Sequence, residues 1–273
     1  MISRTSELFL AVDIGNTTIT MAALDGLKPK YVRRLDTIND FSRLQKSLRP
    51  VLRSFRRHFP SINKTIICSV VPSVTKLIEP IVNEMIGPSL IIGKDLMVPM
   101  VNRYRNPRQV GQDRLVCAYA VRRLFGTPAI VIDLGTAITF DAISANGEYL
   151  GGAIVPGIRL SAESLHKKTA LLPKIRIQAP KAIIGKTTQE SMRSGIFFGF
   201  GALCSGMIGM IGKKFSHPSK IILTGGHAAL MRKYIFQKID QVDEDLVFKG
   251  IALLAQTKRN YSATPRRGRG EGE

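Results

Sequence analysis

The chain has no tryptophan, only three cysteines, and half as many acids as bases. Cys68, Cys117 and Cys204 are odd in number, far apart and set in apolar surroundings. That excludes a disulfide framework and any redox or metal-ligand spacing. His58, His166, His217 and His227 form no cluster either, so a structural metal site is not expected. No uninterrupted apolar run has the length of a membrane span. The nearest, Ile196 to Ile211, is broken by Gly199, Gly201, Gly206 and Gly209 and reads as a packed, Gly-rich helix. The first seven residues lack the charged and apolar regions of a secretory leader. The expected compartment is therefore the cytoplasm, with no membrane partner.

What is abundant is positive charge. Forty Lys and Arg face 20 Asp and Glu, a formal net charge of +20 over 273 residues. The excess is uneven: Lys28 to Arg57 holds ten basic and two acidic residues. Such a surface can bind nucleic acid or anionic lipid nonspecifically, or draw in anionic substrates. No nucleic-acid motif accompanies it and aromatic content is 7%, so nucleic acid is not expected as the principal partner.

Along the chain, Leu8–Val12, Ile19–Leu24 and Tyr31–Leu35 read as strands. A basic helix is expected from Asp40 to His58, with Phe41, Leu44, Leu48, Leu52 and Phe55 at helical spacing. Asn39 or Asp40 would cap it, and Pro50 would kink or split it. Further strands are expected at Thr65–Val71 and Leu90–Ile92, with a helix from Ser73 to Ile86. A third helix is expected over Asp113–Leu124, and Gly126-Thr127-Pro128 reads as a hinge. The strand-turn-strand pattern then restarts at Ala129–Leu134, Ala137–Ser144 and Tyr149–Val155, followed by mainly helices to Phe215 and a strand over Lys220–Thr224. The expected organisation is α/β, with domains at 1–126 and 127–258 and a basic disordered tail over 259–273.

The restart carries a near-copy of one phrase. Asp13-Ile14-Gly15-Asn16-Thr17 recurs 120 positions later as Asp133-Leu134-Gly135-Thr136-Ala137, each after an apolar strand. A Gly turn between strands lets backbone N–H groups approach phosphate oxygens, and an acid at the strand end can hold a metal directly or through water. One such turn could be an ordinary hairpin with a buried acid. Two suggest a duplicated unit that holds a metal-nucleotide, and so point to ATP. Thr136 could donate to a phosphate, and Thr224-Gly225-Gly226 is a candidate for the adenosine side. Gly151-Gly152 to Gly157 reads equally as a ligand turn or a packed one. Asp113 and Arg114 stand at the start of an expected helix, where Asp113 could accept a proton from an alcohol and Arg114 could grip a phosphate or carboxylate. A capping Asp113 beside an exposed Arg114 is the alternative.

These motifs occur in the order seen in type III pantothenate kinases, which the chain resembles from about Phe9 to Leu254. Leu171-Leu172-Pro173, Gly185-Lys186-Thr187-Thr188 and Asp245 to Gly250 fit the same pattern. Bvg accessory factor, a supposed transcriptional regulator, belongs to that family. The resemblance implies two ribonuclease-H-like, actin-like ATPase domains with a nucleotide cleft between them, and a homodimer. It implies ATP-dependent phosphorylation of pantothenate at its 4′-hydroxyl, the first step toward coenzyme A. By position, Asp113 resembles the general base. The turn Asp13, Ile14, Gly15, Asn16, Thr17, Thr18, Ile19, Thr20 resembles the first phosphate site, with Asp13 near Mg²⁺. Asp133 resembles the ligand of a monovalent cation, K⁺ or NH₄⁺, and Thr136, Gly225 and Gly226 resemble ATP contacts. Tyr104, Gly111, Gln112, Asp113, Arg114 and Thr188 resemble pantothenate contacts, with Thr188 near the dimer interface. The family usually has Asn where this chain has Thr187, often Ala at Gln112, and Thr at Ile138. A non-enzymatic nucleotide-binding regulator of the same fold, or a kinase for another small alcohol, are the competing readings.

Overall fold

The computed structural model describes residues 8–262, with side chains described to 257. The chain forms two compact units, one running to Val98 and resuming at Phe248, the other spanning Pro99–Val247.

In the first unit, β1 (Phe9–Ile14), β2 (Thr18–Asp25), β3 (Lys28–Asp36), β4 (Thr65–Ser69) and β5 (Ser89–Ile91) form one sheet in the order β3-β2-β1-β4-β5. The β1–β2 and β2–β3 pairs are antiparallel and β1–β4 and β4–β5 are parallel. Helix α1 (Phe41–His58) buries Leu44, Leu48, Leu52 and Phe55 against Leu10, Val12 and Ile14 of β1, as its apolar spacing requires. Asp40 caps it, accepting from Arg43 N at 2.8 Å. Pro50 does not split it: the proline is exposed, and one helix runs through it. α2 (Pro72–Met85) covers the sheet beside α1. The basic run lies on this unit, where Lys28, Lys30, Arg33 and Arg34 of β3 and Arg43, Lys46, Arg53, Arg56 and Arg57 of α1 are exposed.

The second unit repeats the topology. β6 (Ala129–Leu134), β7 (Ala137–Ile143), β8 (Tyr149–Pro156), β9 (Lys220–Thr224) and β10 (Gln241–Val242) form a sheet in the order β10-β9-β6-β7-β8. Read from its other edge, this is the first sheet's order: β6 stands for β1, β7 and β8 for the antiparallel arm, β9 and β10 for the parallel arm. Asp13 and Asp133 are each the fifth residue of their six-residue strand. α3 (Gln112–Leu124), α4 (Ile158–Lys168), α5 (Thr188–Ser194), α6 (Phe200–Gly212) and the short α7 (Ala228–Met231) complete the unit.

Three expectations need correction, and one holds. The units divide at Val98/Pro99 and not at 126/127, because α3 packs on β6 and β7 and so belongs with the second sheet. The final helix, α8 (Leu246–Ser262), groups from Phe248 onward with the first unit. The expected tail at 259–273 therefore begins in helix, and its remainder lies outside the described residues. The stretch 169–187 carries no regular element, with Pro173 and Pro180 interrupting it. Finally, α5, a π-helical turn over Gly195–Gly199, and α6 run on as one helical stretch, Thr188–Gly212, because the glycines do not break it. By length and composition that stretch could cross a membrane, but Ile196, Phe197, Cys204 and Ile208 on it pack into the second unit's core. That is the expected packed helix.

Candidate active site

The second unit gathers most of the chemistry at the end of β6. Asp133 pairs in register with Thr139 of β7 on one side and Thr224 of β9 on the other. The turn that follows is closed by Gly135 N donating to Ala137 O at 3.2 Å and Gly157 N donating to Thr136 O at 3.0 Å. The loop after β9 folds against the same place, with His227 N donating to Leu134 O at 3.2 Å. Gly225 adopts φ +87°, and a Cβ there would overlap Asp133 Oδ1. Glycine is thus required by backbone conformation and by proximity to the carboxylate.

No hydrogen bond from the described residues reaches the Asp133 carboxylate. Burial, and then the charges of Asp113 and Asp141, push its pKa up to about 7. A crowded carboxylate without donors is a site that a cation would stabilise. Among the described residues, no group of three or more His, Cys, Asp or Glu could hold a metal. A cation at Asp133 would therefore draw its other ligands from carbonyls, water or a bound substrate.

Asp113 lies in the first turn of α3, after Gly111 at the cap position. Its Oδ1 accepts from Arg114 N at 2.7 Å. Burial raises its pKa, the Arg114 N–H opposes this, and Asp141 adds to the rise. A half-buried carboxylate with a raised pKa suits proton acceptance better than capping alone.

Arg114 is not the exposed residue of the capping alternative. Its side chain is 11% exposed and pairs with Asp141, which is 2% exposed. Arg114 Nε donates to Asp141 Oδ1 at 2.9 Å, and Nη2 lies 2.7 Å from the same oxygen without hydrogen-bond geometry. Tyr149 Oη donates to that oxygen at 2.7 Å, and Thr139 Oγ1 donates to Oδ2 at 3.0 Å. Burial and Asp141 raise the Tyr149 phenol far above its ordinary range, so it stays a donor. Gly152 makes room, since a Cβ there would overlap Phe140 O and sit 3.2 Å from Arg114 Nη2. Tyr104 lies over Gly151, whose Cβ would be 3.2 Å from the ring, and Tyr104 N donates to Asn102 Oδ1 at 3.0 Å.

Tyr104, Gly111, Asp113, Arg114, Asp133, Thr136, Gly225 and Gly226 thus all fall in one unit. Sequence reasoning missed Asp141, Thr139 and Tyr149. The available signal was an acid inside the apolar strand Ala137–Ile143. Thr188 stands elsewhere in this unit, exposed at the first position of α5. The first turn belongs to the other unit: Gly15 N donates to Thr18 O at 3.0 Å and Thr37 Oγ1 donates to Gly15 O at 2.7 Å. There Asn16 and Thr17 are exposed, while Ile14 and Ile19 are core residues that can offer a ligand only their main chain.

The sequence profile of type III pantothenate kinases matches residues 9–210. The chain belongs to the type III pantothenate kinase family. A type III pantothenate kinase from Persephonella marina is 41% identical over 251 residues, covering 89% of this chain and 96% of that protein. One from Moorella thermoacetica is 35% identical over 252 residues, covering 90% and 98%. Among solved structures, a conserved putative Baf family transcriptional activator from Campylobacter jejuni aligns with a TM-score of 0.60 at 20% identity, over 92% of this chain and all of that one. A ROK family glucokinase from Streptomyces griseus, solved with glucose and AMPPNP, aligns with a TM-score of 0.54 at 14% identity, over 92% and 99%. These likenesses are of fold, and they extend over nearly the whole chain with its two five-stranded sheets.

The structure also accounts for two departures from the family pattern. Thr187 caps α5, accepting from Glu190 N at 3.2 Å, while Glu190 Oε2 accepts from Lys186 N at 2.9 Å. Asn and Thr are both good caps, so this exchange keeps the helix start. Ile138 is 1% exposed within the second unit's core, so its side chain is a packing residue. Nothing in the structure explains Gln112.

Proposed function

We propose that this chain transfers the γ-phosphoryl group of ATP to the 4′-hydroxyl of pantothenate, the first step of coenzyme A biosynthesis. The observation that carries the reading is the pairing of Asp113, half-buried with a raised pKa, with Arg114, held in place by Asp141, in a chain of this family. Asp113 takes the proton of the attacking hydroxyl. Arg114 meets an anionic oxygen, and Tyr104, Gly111, Gln112 and Thr188 contribute to holding pantothenate. Asp133 binds the monovalent cation, which its lack of hydrogen-bond donors favours. Asp13 takes Mg²⁺, with the main chain of the turn to Thr20 on the phosphates and Thr136, Gly225 and Gly226 on the nucleotide. Mg²⁺ supplies charge neutralisation on the phosphates, and the residues supply position. The test is ADP release over a panel of small alcohols. Turnover of pantothenate alone supports the reading, and turnover of another alcohol in its place overturns it.

The same reading predicts a pH effect. Asp133 keeps a proton in the folded state up to about 7, whereas its ordinary value is 3.8. Its stabilising contribution is therefore present below 3.8 and lost as pH rises through about 7. In a buffer free of small cations, the melting temperature is expected to fall across that window. Added K⁺ or NH₄⁺ should restore it most at the upper end, where the carboxylate is charged.

A second copy of the chain is the partner we propose. A groove of about 740 Å³ lies between α4 and the α5–α6 stretch, lined mainly by apolar groups such as Leu160, Leu165, Met192, Ile196 and Phe200. Leu160 and Leu165, on the α4 side of this groove, are 47% and 38% exposed, part of one contiguous apolar surface. Leu160→Glu is expected to convert dimer to monomer in sedimentation velocity, and an unchanged dimer would put the interface elsewhere. Cytoplasmic location is supported by the three buried cysteines, which form no disulfide, with Cys204 pushed up to about 12 by burial.

A further inference from the structure

We infer that Asp141 is a positioning residue for the reaction: with Tyr149 and Thr139 it grips one edge of the Arg114 guanidinium, so that the other edge is presented to an anionic group of the substrates. This rests on the function proposed above and adds residues that the motifs did not single out.

The geometry is one-sided. Asp141 Oδ1 accepts from Arg114 Nε at 2.9 Å and lies 2.7 Å from Nη2. No hydrogen bond from the described residues engages Nη1, and Nη2 is buried without a hydrogen-bond partner. Guanidinium is a planar fork, and two of its N–H groups on one edge match the oxygens of a carboxylate or phosphoryl group. A guanidinium held at Nε and Nη2 by one carboxylate, with Nη1 left without a hydrogen bond from the described residues, is arranged for such a ligand.

Asp141 is itself over-determined. Its Oδ1 also receives the Tyr149 hydroxyl at 2.7 Å, its Oδ2 receives the Thr139 hydroxyl at 3.0 Å, and the Arg114 guanidinium carbon lies 5.9 Å from the Tyr149 ring centre. Three donors and strand pairing fix this carboxylate. Gly152 leaves no side chain to push the guanidinium away. Arg114 sits next to Asp113 in sequence, and Asp113 accepts from its backbone N–H.

The anionic group has two candidate sources, and the kinetics separate them. Asp141→Asn keeps the shape and removes the charge. If Arg114 meets the pantothenate carboxylate, KM for pantothenate should rise with kcat nearly kept. If it meets the transferring phosphoryl group, kcat should fall with KM nearly kept. Either change is expected to approach roughly 10²-fold, the scale of a misplaced positioning group. Either supports the inference. The effect should also be coupled to Arg114: in an Arg114→Lys background, Asp141→Asn should change the affected constant by less than about 3-fold. Tyr149→Phe, which keeps the ring and loses one hydrogen bond, should shift the same constant in the same direction by a smaller factor. It serves as the test if Asp141→Asn does not fold.

A merely structural ion pair would lower the melting temperature and leave kcat and KM of the folded fraction unchanged. That result, or additive effects in the double variant, would overturn the inference. Wild-type protein that does not turn over pantothenate overturns the functional reading and this inference together. Active wild type with unaltered Asp141→Asn and Tyr149→Phe variants overturns this inference alone.

Discussion

Asp113→Asn is expected to lower kcat by roughly 10²-fold or more, with the melting temperature unchanged or slightly raised. The substitution separates the two roles open to this residue. Asp113 Oδ1 accepts from Arg114 N at 2.7 Å, and an asparagine oxygen can accept the same bond, so the start of α3 survives. What asparagine lacks is a carboxylate able to take a proton. Burial is the main reason the Asp113 pKa is raised, so the charged form is disfavoured where it stands. A neutral side chain removes that penalty, which is why stability should not fall. Activity lost with stability kept is the signature of a base. Wild-type kcat/KM should also decline on acidification at a pH above the ordinary carboxylate range, and the residual activity of the variant should lack that limb. A variant with near-normal kcat would return Asp113 to a capping role and move the base elsewhere.

How much of this was legible in the sequence depends on the distance over which each feature is decided. The two strand-acid-glycine turns were visible because each is fixed within about ten residues, and their equivalence is borne out by two sheets of the same order. Helix α1 was visible because Leu44, Leu48, Leu52 and Phe55 keep helical spacing and Asp40 can cap it. Asp141 was not, because its meaning comes from Arg114, 27 residues away, and from Tyr149 on the neighbouring strand. In the sequence it is one acid in an apolar strand. The place where the units divide was missed for a similar reason. Gly126-Thr127-Pro128 looks like a hinge locally, but α3 is assigned by what its buried face, Leu115 to Val121, packs against. Asp113 and Arg114 were legible as an adjacent acid and guanidinium, whereas pantothenate as the alcohol, with Tyr104, Gln112 and Thr188 as proposed contacts, came only through resemblance, since nothing in their spacing specifies that alcohol over another.

Gly225→Ala should be strongly destabilising, and Gly226→Ala is its control. Gly225 has φ +87°, where an L-residue is strained by about 1 kcal/mol or more before any contact is considered. Its new Cβ would overlap Asp133 Oδ1 and lie 2.8 Å from both N and C of Leu134. Leu134 ends a central strand and cannot retreat, because its carbonyl accepts from His227 N and its side chain is 1% exposed. Together these place the loss of stability at roughly 3 kcal/mol, near the upper range for single substitutions. The denaturant midpoint should fall accordingly. In the folded fraction the displaced Asp133 carboxylate should blunt activation by K⁺ or NH₄⁺. At Gly226 no atom lies within 4 Å of an added Cβ and φ is not in the left-handed region. Gly226→Ala should therefore leave the midpoint within about 0.5 kcal/mol of wild type. If the nucleotide lies against this turn, the same methyl should raise KM for ATP while the protein stays as stable as before. The pair then distinguishes a glycine needed for the backbone from one needed for the ligand. Equal losses of stability at both positions would show that neither the left-handed backbone nor the contact with Asp133 and Leu134 sets the need for glycine at 225.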